Sequence, residues 1–201
     1  MNRGMLVVFE GLDGCGKSTQ LRRAAEALRA RGIELLVTRE PTEGVWGQRI
    51  RAMARSGERV AVEVELMWFF EDRRRHMREV VRPALEQGKV VLSDRSYISS
   101  VAYQGARGLD PVKILADSEA EFVRPDLVLL FEISAKEGLA RVAARGEASE
   151  PVFENLSFLK RVEAIFEGLE VDGLVRIDAT RSEDEIAADV LAALDVVRPD
   201  I

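Results

Sequence analysis

The chain has 201 residues, which suits one sizeable α/β domain rather than two. An apolar share of 47% excludes a disordered chain, no apolar run approaches a membrane span, and the first residues lack a signal-peptide pattern. A net charge of −6 argues against a protein that coats nucleic acid, and the single cysteine, Cys15, excludes an intrachain disulfide. The expectations are no nucleic-acid partner, no membrane partner and a reducing, cytoplasmic location.

The first apolar run, residues 5–9, predicts a buried strand, and residues 18–31 predict a helix. Between them lies Gly-Leu-Asp-Gly-Cys-Gly-Lys-Ser, a G-x-x-x-x-G-K-S phosphate-binding loop in the context that pattern requires. Its glycines let backbone N–H groups converge on an anion, and the helix that follows adds the positive end of its dipole. Gly11, Leu12, Asp13, Gly14, Cys15, Gly16, Lys17, Ser18 and Thr19 are therefore the candidate nucleotide-binding residues. Lys17 is placed for the β/γ phosphates and the Ser18 hydroxyl for Mg²⁺.

Further strands are expected at 33–38, 89–93, 127–133 and 174–177, with helices near 61–87, 135–145, 157–169 and 182–197. Strands alternating with helices predict a P-loop three-layer sandwich: a five-stranded parallel sheet with helices on both faces. Right-handed crossovers place all strand C-termini on one edge, where ligands bind in open α/β sheets. Gly11 to Ser18, Arg39, Asp94, Arg95 and Ser134 are thus expected to face one crevice. The polar stretch 146–155 follows Arg141 and Arg145 and predicts a short lid at about 141–156, within a single domain spanning 1–201.

The donor loop does not explain the acceptor. Residues 38–41 (Thr-Arg-Glu-Pro) and 94–96 (Asp-Arg-Ser) each put an arginine at a strand's C-terminal end. Either arginine alone reads as a surface ion pair. Together, Arg39 and Arg95 suit a second phosphoryl group, because guanidinium forks bind phosphate oxygens bidentately. Asp94 ends a Walker-B-like strand, where it would hold a Mg²⁺ water or orient Arg95. In the 61–87 helix, Phe69 and Arg73 share a face. They would serve a base, although spacing alone favours a core aromatic beside a solvated charge run. If residues 99–105 are helical, Ser99 lies above Tyr103 and Ser100 above Gln104, as base-reading handles or as caps. His76, the one histidine, reads as structural.

These segments, with Phe-Phe-Glu-Asp-Arg-Arg-Arg-His at 69–76, Ala-Tyr-Gln-Gly at 102–105, Arg-Pro-Asp at 124–126 and Ile-Asp-Ala at 177–179, resemble the bacterial thymidylate kinases over nearly the whole chain. The resemblance implies ATP- and Mg²⁺-dependent phosphorylation of dTMP, and usually a homodimer packed through helices that include the long one. It implies Phe69 stacked on thymine, Arg73 on its O4 edge, Ser100 and Gln104 at the base, and Tyr103 against the sugar 2′ position. It also implies Asp13 at the 3′-OH and Arg39 and Arg95 on the dTMP phosphate. Family members without a P-loop arginine usually carry basic residues inside the lid, but 146–156 contain none here. Arg145 is therefore assigned to the transferring phosphoryl group, and Arg141 to the adenine side. The acceptor phosphate is already ionised, so no general base is expected. Rival readings are a kinase for another deoxynucleotide or a deoxynucleoside, and a P-loop switch, against which the chain lacks an N-K-x-D guanine motif.

Overall fold

The computed structural model describes residues 4–144 and 155–197. Five parallel strands form one sheet in the order β2-β3-β1-β4-β5: β1 Met5–Gly11, β2 Leu35–Arg39, β3 Val90–Asp94, β4 Leu127–Glu132 and β5 Leu174–Asp178. Every residue of β1 is buried. Such near-continuous apolar strands need helices on both faces, and each fully buried Val, Leu or Phe contributes about 1.5–3 kcal/mol.

The helices are α1 Lys17–Ala30, α2 Val45–Ser56, α3 Val62–His76, α4 Arg82–Glu86, α5 Tyr97–Ala106, α6 Pro111–Glu121, α7 Ala135–Ala144, α8 Leu156–Glu167 and α9 Glu183–Val197. All five expected strands are present; β2 begins two residues later than expected and runs on to Arg39. The long helix expected near 61–87 is interrupted. A π turn, Met77–Val81, separates α3 from α4. Pro83 lies two residues beyond the turn, in the first turn of α4, and a proline has no N–H to continue the helical ladder.

Two helices fall outside the expected set. In α2, Gly47 in the first turn lowers helix propensity and blurs the pattern. In α6, Ile114 and Ser118 are the buried residues, too few to show an apolar stripe. Its start was nevertheless legible, because Asp110 caps the backbone N–H groups of Val112 and Lys113, and Pro111 occupies the first turn.

The topology sets the position of the site. β1 lies between β3 and β4, the chain having wound first to one side of it and then to the other. Phe9 is in register with Asp94, and Asp94 with Arg39. The ends of β1, β3 and β2 therefore stand side by side, each delivering its following loop to the same edge.

Candidate active site

A cleft of about 280 Å³ opens at that edge. Its floor is the loop after β1 and the first turn of α1: Asp13, Gly14, Gly16, Lys17, Ser18 and Thr19 all line it. Gly14 and Gly16 have φ of 84° and 94°, a left-handed region that glycine enters without steric cost. Gly14 is also pressed against α7, where an added Cβ would lie 2.2 Å from the Gly138 carbonyl oxygen. Lys17 is buried, and its Nζ donates to the carbonyls of Gly11 at 3.0 Å and Leu12 at 2.8 Å. Cys15 is buried below the loop, with Lys17 Nζ 3.7 Å from its Sγ.

Ser18 and Asp94 meet at the base of the cleft, the Ser18 hydroxyl donating to Asp94 Oδ2 at 2.6 Å. This puts a hydroxyl and a carboxylate oxygen together next to the loop that precedes α1.

Arg39 and Arg95 both line the cleft. Arg39 is exposed and paired with Glu43, which also accepts from Arg51 Nη2 at 2.7 Å. Among the described residues Arg95 is the only non-glycine with positive φ, at 75°. A left-handed backbone at such a residue costs on the order of 1–3 kcal/mol and clusters at functional sites. Its side chain reaches across the cleft. Nη2 donates to Asp13 Oδ1 at 2.7 Å, and Nη1 donates to Ser99 Oγ at 2.8 Å. Burial opposes its charge, but Asp13, Tyr103, Asp94 and Glu10 outweigh that and hold its pKa well above the ordinary value.

Phe69, Ser100, Tyr103 and Gln104 line the other end of the cleft, on α3 and α5. The segment 99–105 is helical, which meets the condition for Ser99 to lie above Tyr103 and Ser100 above Gln104; Ser96 caps it, accepting from Ile98 N at 3.2 Å. Tyr103 is buried, which raises its pKa.

Arg73 departs from the reading based on spacing alone. It is no part of a solvated charge run, being 1% exposed, whereas Arg74 and Arg75 on the same helix are solvated. Its Nε donates to Glu40 Oε2 at 2.7 Å, and Nη2 donates to the Ser96 carbonyl at 3.1 Å and Ser100 Oγ at 3.3 Å. His76 is structural, as expected: its Nδ1 lies 2.9 Å from Glu40 Oε1 and its Nε2 2.6 Å from Thr38 Oγ1. Burial by itself would raise the Glu40 pKa, but Arg73 and His76 prevail and hold it below the ordinary carboxylate value. Two buried atoms near this end have no hydrogen-bond partner among the described residues: Arg73 Nη1, a donor, and Gln104 Oε1, an acceptor.

One expected member of the crevice is elsewhere. Ser134 lines a separate depression of about 310 Å³ with Leu12, Glu132 and Thr180. β4 lies across β1 from β3 and β2, so the glycine loop stands between Ser134 and the arginines. The Ser134 hydroxyl donates to Glu137 Oε2 at 2.7 Å in the first turn of α7. Arg141 reaches the loop after β5, donating to the Ala179 carbonyl at 3.1 Å. Arg145 and most of the expected lid lie outside the described residues.

Sequence reading missed Arg51, which lines the cleft and donates to the Pro41 carbonyl at 2.8 Å. It lies on α2, the helix whose pattern is blurred. It also missed Gly138, whose role depends on a loop more than a hundred residues away. Only proximity in the fold reveals either.

A family model described as thymidylate kinase matches residues 9–190. The chain is 39% identical to a thymidylate kinase of Desulfotalea psychrophila over 191 residues, covering 94% of each chain. It is 40% identical to one from Akkermansia muciniphila over 199 residues, covering 99% of this chain and 95% of the relative. Against one from Xanthomonas oryzae pv. oryzae it is 40% identical over 183 residues, covering 91% and 79% respectively.

Proposed function

The chain belongs to the thymidylate kinase family, and we propose that it phosphorylates dTMP by taking the terminal phosphoryl group of ATP, with Mg²⁺, to give dTDP and ADP. The observation that carries this reading is the shared cleft: the glycine loop with Lys17 faces Arg39 and Arg95 across one space. Two phosphate-binding devices facing each other suit transfer between two phosphates better than hydrolysis of one.

In this reading Gly11 to Thr19 hold the triphosphate, with Arg141 on the adenine side. Lys17 leaves its loop carbonyls for the phosphate oxygens. Arg39 and Arg95 hold the dTMP phosphate. Arg145 acts on the transferring group. The main obstacle is repulsion between anions, so positioning and charge neutralisation supply the catalysis. The attacking phosphate oxygen is ionised already, and no side chain has to remove a proton. Ser18 and Asp94 would hold Mg²⁺: a hydroxyl and a carboxylate oxygen 2.6 Å apart suit an ion that takes one or two protein oxygens beside phosphate oxygens. When bound, the ion supplies charge neutralisation on the phosphates.

Thymine would stack on Phe69, with Tyr103 against the sugar 2′ position, Asp13 at the 3′-OH and Ser100 at the base. Gln104 lines the cleft, and its unpartnered Oε1 favours a base that offers a donor, as the N3–H of thymine does; Arg73, buried behind Ser100, is proposed to meet O4 through its unpartnered Nη1. A homodimer is proposed through α3, which exposes Val64 and Met67 three residues apart on one face. A monomer mass by light scattering would overturn that.

The deciding experiment is ADP release with ATP and Mg²⁺ across dTMP, dUMP, dCMP and thymidine, with the product identified. The expected result is ADP and dTDP formed together, with dTMP preferred. Phosphorylation of thymidine at its 5′-OH, or ADP release indifferent to dTMP, would refute the reading.

A further inference from the structure

Glu10 lies on β1 next to the glycine loop, is 0% exposed, and has no part in the chemistry proposed above. Taking a carboxylate out of water costs several kcal/mol unless its oxygens are well satisfied. Its partners are specific. Oε1 accepts from Ser96 Oγ at 2.8 Å, and Oε2 accepts from Ser99 Oγ at 2.6 Å.

The direction of each bond follows from the donors. Ser99 Oγ already accepts from Arg95 Nη1 at 2.8 Å, so its own proton points to Glu10. Ser96 Oγ accepts from Ile98 N at 3.2 Å, so its proton also points to Glu10. Both carboxylate oxygens therefore stand as acceptors toward the two hydroxyls. Burial outweighs the pull of Arg95, Ser99, Ser96 and Lys17 and holds the Glu10 pKa above the ordinary carboxylate value.

Arg95, Ser99 and Glu10 thus form a directed chain from the cleft into the sheet. The same turn of α5 also carries Arg73, through the Ser96 carbonyl and Ser100 Oγ. We propose that Glu10 is a positioning residue that, through the Ser99 hydroxyl, sets the Arg95 guanidinium for the acceptor phosphate. This inference rests on the reading of Arg95 as a dTMP-phosphate ligand. An amide at position 10 keeps an acceptor for only one of the two hydroxyls and sets an N–H against the other, so the paired acceptance that holds this turn of α5 is lost. Were Ser99 to reverse, its proton would face the Arg95 N–H, and the chain would break.

The test measures dTMP and thymidine affinities by titration calorimetry for the wild type, Glu10→Gln and Ser99→Ala, with melting curves alongside. Thymidine has no phosphate, so a misplaced Arg95 should leave its binding alone. Both variants are expected to bind dTMP about ten- to thirtyfold more weakly, the scale of a lost charge-assisted hydrogen bond, with thymidine within about twofold of wild type. Unchanged dTMP affinity would overturn the proposal. So would equal weakening of dTMP and thymidine, which marks a general packing role. If Glu10→Gln does not fold, Ser99→Ala makes the same comparison with Glu10 intact. A wild type that neither binds nor phosphorylates dTMP removes both readings; one that does both, with variants indistinguishable from it, removes this one alone.

Discussion

Arg95 Nη2 donates to Asp13 Oδ1 across 2.7 Å, tying the residue after β3 to the glycine loop after β1. The pair spans the mouth of the cleft, with Asp13 49% exposed and Arg95 16% exposed at their side chains. Half-exposed, the Asp13 side chain can face a ligand while it orients the guanidinium. If it also meets the sugar, Asp13→Asn should weaken dTMP roughly tenfold and 3′-deoxy-dTMP much less, by the usual worth of a charge-assisted hydrogen bond. Equal losses for the two ligands in a binding titration would assign Asp13 to Arg95 alone.

Lys17 Nζ is held by two loop carbonyls, those of Gly11 and Leu12. Lys17→Ala should lower kcat by about 10²–10³-fold, the scale of losing one donor to developing charge. Steady-state kinetics at saturating ATP and dTMP give the answer, and near-normal turnover would remove Lys17 from the chemistry.

Phe69 lines the cleft from α3, remote in sequence from the glycine loop. Phe69→Ala should raise KM for dTMP by about tenfold or more, given the ~1–3 kcal/mol typical of base–aromatic stacking, and leave KM for ATP near its original value. Equal rises in both constants would identify a packing residue.

The buried Glu40 faces Arg73 and His76, and its folded pKa lies below the 4.5 of the unfolded chain. The folded state then binds fewer protons, so this group's stabilisation is complete above about 4.5 and is lost as pH falls through the folded value. Glu40→Gln should cost about 3–5 kcal/mol near neutral pH, since it leaves a buried guanidinium uncompensated. The gap from wild type should narrow on acidification. Denaturant melts across that range test the sign: a gap that widens toward acid would contradict it.

Gly138 packs on the glycine loop so closely that an added Cβ would lie 2.6 Å from the Asp13 carbonyl oxygen. Gly138→Ala must move backbone, at about 1–3 kcal/mol. The displaced loop should raise KM for ATP more than KM for dTMP. A thermal melt and a KM pair identical to wild type would show that the contact relaxes without cost.

The sequence by itself determined the strands, the glycine loop and the edge at which the cleft opens, because these rest on local signals. An apolar run makes a buried strand wherever it pairs, and G-x-x-x-x-G-K-S between a strand and a helix makes an anion nest from its own backbone. It also placed Arg39, Asp94 and Arg95 correctly, since parallel strands end on one edge. What it could not supply was partnership between distant segments. Arg73 looks like one member of a surface charge run until Glu40, thirty-three residues earlier, is found against it in the core. Glu10, one residue beyond the expected strand 5–9, carries no local signal of its own; its place shows only when Ser96 and Ser99 close over it. Ser134 shares the edge but not the cleft, because strand order, not strand sequence, sets which side of the glycine loop it occupies. Local pattern fixes where a chain turns and what it buries. Only packing decides which charges meet, because a charge can be buried only where distant residues satisfy it.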